Sequence, residues 1–381
     1  MSRTDLFIFA GEASADLLGQ EFLRALKDRG LKITGVGGPK MREEGFSCVA
    51  QMEEFRVMGF VDVFLALPKL ILKFFKIRRA ILEINPKAVL FIDYPGFNLR
   101  MARSLRRKGF SGKICHFVCP SVWVWGKKRI PLMAETLDLL LAILPFEPRY
   151  FSHTSLKTHY VGHPLAKRLK AHTYKEGLFP KDKRLIGIFP GSRRKEIERN
   201  FPQHLRVAKR LLSENPDLLF AVSVSDSTFL PLLKEIAEKE ALDITFVPHE
   251  QTYDLMKGST AAIAKSGTVT LELALHAVPT VVTYAISPLD LFIARDLLRI
   301  RLPYYCLVNI IHEGEVFPEL FGPNFTEKSL YTHLRKFLED GNARAQCKEK
   351  CVGIKQLLEE KDPMQEAKEL LLGAMDGPSL K

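Results

Sequence analysis

The sequence predicts an α/β protein of two domains, each with a parallel sheet between layers of helices. Short apolar runs alternate with helical patterns in both halves of the chain, and from Thr326 onward the pattern is purely helical. A chain of 381 residues with 46% hydrophobic content also exceeds what one core usually holds. We therefore expect two Rossmann-like domains, 1–164 and 165–361, with parallel sheets facing a cleft, and a C-terminal helix at 362–381 that joins the first domain.

The apolar runs place the individual strands. Strands are expected at 6–10, 33–36, 89–92, 114–118 and 139–144, and near Leu185, Leu219, Ile244, Ala261 and Thr280. The first helix is expected to begin at Ala15, and segment 164–183, which has no clean period, is predicted to be a linker with a short helix. Functional groups are expected beyond the carboxyl ends of the strands, where ligands bind to open parallel sheets.

Composition excludes several classes of protein. No stretch of about 18 uninterrupted apolar residues occurs, so we expect neither a membrane-spanning helix nor a secretory signal. The six cysteines form no Cys-x-x-Cys pair and no cluster with histidine, which favours reduced thiols and argues against a metal site. We predict a cytosolic protein with no metal and no other cofactor.

The net charge of +12 is concentrated in one region. Between residues 56 and 129 the chain has sixteen Lys and Arg against three acidic residues, a local net charge of +13. Within this region, 67–84 has the pattern of a basic amphipathic helix, which suits an anionic membrane surface. The residues expected to contact the membrane are Phe64, Lys69, Lys73, Phe74, Phe75 and Lys76. The alternative is an ordinary helix that faces the core and exposes its basic face to solvent. Nucleic acid is disfavoured as a partner because the sequence has no recognised nucleic-acid-binding motif.

Two loops in the second half predict a nucleotide site. The apolar run 186–189 meets the loop 190–194 and then a helix, so unpaired backbone N–H groups and an arginine face one point, as in a phosphate cradle. A second small-residue turn after an apolar run precedes a helix that carries Glu272. The residues expected to bind the nucleotide are Gly191, Ser192, Arg193, Ser266, Gly267, Thr268 and Glu272.

Polar residues also follow the first strand. Glu12, Ser14 and Asp16 stand at the mouth of the first sheet without the spacing of a Gly-x-Gly-x-x-Gly loop or a P-loop, so neither NAD nor ATP is favoured. We expect them to bind hydroxyls or a phosphate of an acceptor. The alternative is that Ser14 or Asp16 caps a helix, and both roles can hold at once.

Asp93 directly follows the predicted strand 89–92, at the lip of the first sheet. A sugar hydroxyl is a poor nucleophile, and a carboxylate that takes its proton as the new bond forms contributes roughly 10² to 10⁴ in rate. Asp93 is therefore the candidate general base, although an aspartate after a strand is more often a turn or cap residue. No Asp-x-Asp pair occurs, so a departing diphosphate has to be stabilised by protein groups such as Arg193 and helix dipoles.

Motifs dispersed over most of the chain resemble the lipid A disaccharide synthase family. They are Ala10-Gly11-Glu12 to Gly19, Val57-Met58-Gly59, Ile92-Asp93-Tyr94-Pro95, Pro120-Ser121-Val122-Trp123-Val124-Trp125, Leu144-Pro145-Phe146-Glu147, Pro190-Gly191-Ser192-Arg193, and Ser266-Gly267-Thr268 with Leu271-Glu272. The resemblance implies a GT-B fold and a metal-independent, inverting transfer of a diacylated glucosamine from UDP to the 6-hydroxyl of diacylglucosamine 1-phosphate. It also implies that the protein acts at the inner face of the inner membrane of a Gram-negative-type bacterium. A homodimer is possible.

The resemblance also assigns roles to single residues. Asp93 matches the proposed base, Arg193 falls in the phosphate loop and Glu272 matches the carboxylate that commonly holds the ribose. Asn309 would lie near the sugar of the donor. The chain departs from the family pattern at Ala15, where Gly is usual, at Gly96, where Asp is common, and at Lys265, where a small residue is common. Gly96 removes a second carboxylate and so concentrates the role of base on Asp93.

Two other classes of function stay open on the sequence. A UDP-N-acetylglucosamine 2-epimerase shares the two-domain layout and would explain the nucleotide loops, but it has no use for a basic, apolar helix. A non-catalytic membrane-binding adaptor would explain the charge but would leave Asp93 and Arg193 without a role.

Overall fold

The computed structural model describes residues 4–55, 60–292 and 302–377, with side chains throughout except at 60–68, 125 and 288–289. The chain forms two compact units. The first comprises the described residues of Met1–Lys167 and Leu358–Lys381, and the second comprises those of Arg168–Leu357. Each unit contains one parallel sheet, so the predicted α/β class with two Rossmann-like sheets is confirmed.

The sheet of the first unit has seven strands in the order β3-β2-β1-β4-β5-β6-β7. These strands are β1 (Leu6–Ala10), β2 (Ile33–Gly37), β3 (Ser47–Gln51), β4 (Ala88–Ile92), β5 (Lys113–Phe117), β6 (Leu139–Ala142) and β7 (Lys157–Tyr160). The helices are α1 (Ala13–Leu26), α2 (Pro39–Glu43), α3 (Phe60–Ile84), α4 (Pro95–Arg107), α5 (Arg129–Thr136) and α6 (Pro164–Lys170).

The sheet of the second unit has six strands in the order β10-β9-β8-β11-β12-β13. They are β8 (Arg184–Phe189), β9 (Leu218–Ser223), β10 (Thr245–Val247), β11 (Ala261–Lys265), β12 (Thr280–Tyr284) and β13 (Glu319–Phe321). The helices are α7 (Arg194–Glu214), α8 (Leu230–Lys239), α9 (Thr252–Gly258), α10 (Thr268–Leu275), α11 (Pro288–Phe292), α12 (Leu307–His312), α13 (Glu327–Glu339) and α14 (Gly341–Glu359). The last helix, α15 (Pro363–Asp376), belongs to the first unit.

Apolar clusters cover both faces of the first sheet. Along β1, Leu6 and Ile8 point into one cluster and Phe7 and Phe9 into the other, as the alternation of side chains across a strand requires. The helix α15 contributes Met364, Ala367 and Leu371 to the cluster of Leu6 and Ile8. The end of the chain therefore completes the core of the domain with which the chain begins.

The sequence did not predict three strands, β3, β7 and β13, each of which lies at an edge of its sheet. The side chains of β3 and β7 are mostly exposed or half-buried, and β13 has only three residues. Such strands show no continuous apolar run, which is the signal of a strand buried on both faces. In addition, α1 begins at Ala13 rather than at Ala15, and α3 begins at Phe60 rather than at 67.

Candidate functional site

The first of the two loops predicted to bind a nucleotide connects β8 to α7. Gly191 has φ +124°, a backbone conformation that favours glycine, and a Cβ at this position would lie 2.9 Å from Cβ of Glu196. The hydroxyl of Ser225 donates to the carbonyl of Gly191 over 3.2 Å and so fixes the loop from β9. Arg193 stands at the N-cap of α7 with its side chain 81% exposed, and its guanidinium lies 3.2 Å from Oε1 of Glu196.

The second loop connects β11 to α10, beside the first, because β11 pairs directly with β8. The N–H of Ser266 donates to Thr283 on β12, and Gly267 is the N-cap of α10. Together the loops open a pocket with a cavity volume of about 230 Å³. Its lining includes the predicted residues Gly191, Ser192, Ser266, Gly267, Thr268 and Glu272, and it adds Glu196, Ser223, Ser225, His249, Thr252 and Lys265.

Glu272 lies in the wall of this pocket, on α10. Burial raises the pKa of its carboxyl group, and the hydroxyl of Tyr253 donates to Oε1 over 3.3 Å. A carboxylate that is partly withdrawn from water and oriented by a tyrosine is suited to accept hydrogen bonds from a sugar diol.

Asn309 has a structural role in place of the predicted donor-binding one. Its side chain is fully buried on α12, and its amide nitrogen donates to the carbonyl of Phe317 and to Glu319, each over 2.8 Å. Its amide oxygen accepts from the N–H groups of Val316 and Phe317, each over 2.9 Å. A side-chain amide has two N–H donors and two acceptor lone pairs, and these four hydrogen bonds use all of them. Asn309 therefore holds the turn before β13 in place.

Asp93 is placed at the carboxyl end of β4 by two consecutive left-handed residues. Asp93 has φ +49° and Tyr94 has φ +46°, a conformation that is uncommon for residues other than glycine and that marks a constrained site. Burial, and second to it the neighbouring carboxyl group of Glu12, raise the pKa of Asp93 to about 6. Two carboxyl groups, one from the residue that precedes α1 and one from the end of β4, therefore lie close together at the carboxyl end of the first sheet.

Ser14 and Asp16 have different environments. The hydroxyl of Ser14 is exposed and donates to Glu12 over 3.1 Å. Asp16 is only 2% exposed, and its carboxylate accepts from the N–H groups of Gly38, Lys40 and Met41 over 2.7, 2.9 and 3.2 Å. Asp16 therefore caps the start of α2 and anchors it to α1, and its role in acceptor binding stays a prediction.

Replacing Asp16 by Ala is expected to lower the free energy of unfolding by about 2 kcal/mol, because three backbone donors lose their acceptor. The measurement is urea denaturation followed by circular dichroism. Ser14→Ala, on the same helix with an exposed side chain, is the matched control and should stay within about 0.5 kcal/mol of the native protein. An equal loss in both variants would contradict the assigned role of Asp16.

The outward face of α3 differs in part from the predicted membrane-contacting set. Exposed apolar side chains are those of Ile71, Leu72 and Phe75, which are 47%, 69% and 47% exposed. Phe74 instead turns inward and packs on Phe97, with ring centroids 5.4 Å apart.

The basic residues of α3 also divide between two faces. Lys69 and Lys76 are exposed, whereas Lys73 turns inward and donates to the carbonyl of Glu54. Phe74 and Lys73 are therefore corrected to positions that pack on their own domain. The side chain of Phe64 lies outside the described residues.

Over 4–55, 60–292 and 302–377, no group of three or more His, Cys, Asp or Glu side chains is arranged to hold a metal ion. In the same part of the chain, every helix is too short or too polar to cross a membrane.

Comparison with known proteins decides the family. The sequence profile described as Lipid-A-disaccharide synthetase matches residues 6–372. The chain belongs to this family. It is 37% identical to the lipid-A-disaccharide synthase of Chlamydia pneumoniae over 358 residues. This matched segment covers 91% of this chain and 59% of the chlamydial protein. It is 35% identical to the lipid-A-disaccharide synthase of Geobacter sulfurreducens, with 88% of each chain covered. The chain thus spans about 60% of the length of the chlamydial relative.

Solved structures show the same fold at low sequence identity. The glycotransferase of kitacinnamycin superposes with a TM-score of 0.63 at 13% identity, covering 98% of this chain and 99% of that one. A UDP-N-acetylglucosamine 2-epimerase from Listeria monocytogenes gives 0.62 at 13% identity, covering 95% and 98%. The co-structure of MnaA from S. aureus with UDP gives 0.61 at 14% identity, covering 99% of each chain. These likenesses confirm the predicted GT-B fold class.

Proposed function

We propose that this member of the lipid-A-disaccharide synthetase family is an inverting glycosyltransferase. It would join UDP-2,3-diacylglucosamine to 2,3-diacylglucosamine 1-phosphate through a β-1,6 linkage, with release of UDP. The observation that carries the proposal is the pocket at the end of the second sheet. There, two neighbouring strand-to-helix loops present small residues and backbone donors, and the exposed guanidinium of Arg193 lies nearby.

The second unit, as we propose, binds the donor. The diphosphate would lie on the amides of Gly191 and Ser192 and on Arg193, where the N-terminus of α7 adds a partial positive charge. The second loop, Ser266 to Thr268, would close the site from the side of β11. Glu272 would then accept hydrogen bonds from the ribose, as its place in the pocket wall allows.

The first unit, as we propose, binds the acceptor and supplies the base. The carboxylate of Asp93 would take the proton of the acceptor 6-hydroxyl while the oxygen attacks the anomeric carbon from the face opposite to UDP. The bond to the UDP oxygen breaks in the same step, and Arg193 and the loop amides stabilise the charge on the leaving diphosphate. Glu12 and Ser14, which lie at the same end of the sheet, are suited to bind acceptor hydroxyls.

The experiment that tests the proposal is incubation with both acylated substrates in the presence of a chelator. Release of UDP together with a phosphorylated tetraacyl disaccharide is the expected result. The solved epimerases of the same fold make epimerisation the second candidate, and UDP with an altered monosaccharide as the products would favour it. If neither product forms but lipid still binds, the chain is a membrane-binding adaptor.

We also propose that the protein works as a peripheral protein on the cytoplasmic face of an anionic inner membrane. The support comes from α3, where Ile71, Leu72 and Phe75 are exposed next to basic residues. Apolar side chains of this kind insert among lipids while lysines meet the phosphates. The possible homodimer is tested by sedimentation in detergent.

Replacing Leu72 by Ser is expected to weaken binding to vesicles that contain anionic lipid by about tenfold, because Leu72, at 69%, is more exposed than Ile71 and Phe75 beside it. High salt should weaken binding of the native protein as well. Cosedimentation with vesicles measures both effects. Val352→Ser is the matched control, since Val352 is 44% exposed but lies on α14 of the second unit. Equal binding by Leu72→Ser and native protein would contradict this surface.

A further inference from the structure

A carboxylate lies among the positive groups of the donor pocket. Oε1 of Glu196 lies 2.9 Å from Nζ of Lys265 and 3.2 Å from a terminal nitrogen of Arg193. Its Oε2 accepts a hydrogen bond from the N–H of Ser192 over 3.2 Å. Three donors, an ammonium, a guanidinium and a loop amide, therefore converge on one anion that belongs to the protein itself.

The same three donors are those that a phosphate group takes. Loop amides at a helix N-terminus, guanidinium and ammonium all bind phosphate oxygens with charge-assisted hydrogen bonds. An incoming diphosphate and the carboxylate of Glu196 would meet as like charges in a partly enclosed space, where repulsion is strong. The two anions therefore compete for one set of partners.

The side chains of Lys265 and Glu196 differ in how far they can move. Lys265 is 13% exposed, and its ammonium lies 4.9 Å from the ring centre of Tyr284, so it is fixed at the end of β11. Glu196 is 16% exposed and stands in the first turn of α7. Its side chain has three rotatable bonds, so the carboxylate can turn away while the helix keeps its place.

We propose that Lys265 is a further binding residue for the diphosphate of the donor and that Glu196 occupies its place until the donor arrives. Binding of the diphosphate displaces the carboxylate, and Lys265 and Arg193 then pair with phosphate oxygens. This inference rests on the donor site proposed above and adds to it a second cation and an internal competitor. Without donor, the pair with Glu196 keeps the partly buried ammonium from standing alone.

The test is the affinity of the full chain for UDP, measured by calorimetry. Glu196→Gln keeps an acceptor for the N–H of Ser192 but removes the competing charge, so UDP should bind about tenfold more tightly. Uridine, which has no phosphate, should bind native protein and variant alike. Glu198→Gln is the matched control, because Glu198 lies on the same helix and pairs with Arg194 outside the pocket lining. Its affinity for UDP should equal that of the native protein.

Lys265→Met is the complementary variant. It should weaken UDP binding about tenfold without changing uridine binding, and in this background Glu196→Gln should have a smaller effect. Unchanged or weaker UDP binding by Glu196→Gln, or equal changes for UDP and uridine, would overturn the inference. If native protein fails to bind UDP at all, the donor site itself is refuted. Melting temperatures confirm that each variant is folded.

Discussion

Asp93→Asn is expected to reduce kcat by 10² to 10⁴, because an amide cannot take the proton of the acceptor hydroxyl. Asn has nearly the same shape, so UDP binding should be unchanged. The measurement is UDP release with both acylated substrates under saturating conditions. Glu43→Gln, an exposed carboxylate of the same unit that pairs with Lys40, is the matched control and should retain full activity. A kcat within threefold of native for Asp93→Asn would remove Asp93 as the base.

The pH profile of activity of the native protein is a second test of Asp93 as the base. The pKa of Asp93 is raised to about 6 by burial and by Glu12, and only the deprotonated carboxylate accepts a proton. The value of kcat/KM is therefore expected to fall about tenfold per pH unit below pH 6 and to level off above it. Glu12→Gln removes the neighbouring negative charge and should move this acid limb to lower pH. A limb that stays in place would show that another group controls it.

Arg193→Ala is expected to reduce kcat by 10² to 10³, the usual effect of removing one donor to a developing oxyanion. The guanidinium is 81% exposed at the N-cap of α7, so its loss should leave the fold intact. Because the charge on the diphosphate grows as the bond to the sugar breaks, the effect should fall more on kcat than on KM for the donor.

The measurement is steady-state kinetics with varied donor. Arg194→Ala is the matched control, since this neighbouring guanidinium is also exposed and pairs with Glu198, outside the pocket lining. A selective loss in Arg193→Ala supports protein-based stabilisation of the leaving group. Equal rates in the two variants would contradict the role of Arg193 and leave Lys265 and the loop amides as the groups that stabilise the leaving diphosphate.

The sequence was informative where a structure depends on neighbours in the chain. An apolar run followed by small residues and a helix predicts a strand-to-loop-to-helix unit, and Gly191, Ser192 and Gly267 do lie in such loops along one pocket. Asp93 follows β4 for the same reason. Edge strands such as β3 and β7 were missed because their side chains are not buried on both faces.

Pairings across long separations could not be read from residue types. From the sequence we expected the side chain of Asp16 to be accessible to a ligand. Its hydrogen-bond partners are instead backbone N–H groups 22 to 25 residues away, at the start of α2. Lys265 and Glu196 are 69 residues apart and meet because β11 pairs with β8. Asn309 was misassigned because only the folded turn shows that backbone groups already use its amide.

The path of the chain through its two units has a consequence for synthesis on the ribosome. The second unit is one continuous segment, Arg168–Leu357, and can complete its contacts as soon as that segment has emerged. The first unit has to wait, because Met364, Ala367 and Leu371 of α15 fill part of its interior. A nascent chain that stalls before α15 would therefore hold a finished second unit and an unfinished first unit whose apolar surface is open to chaperones and proteases.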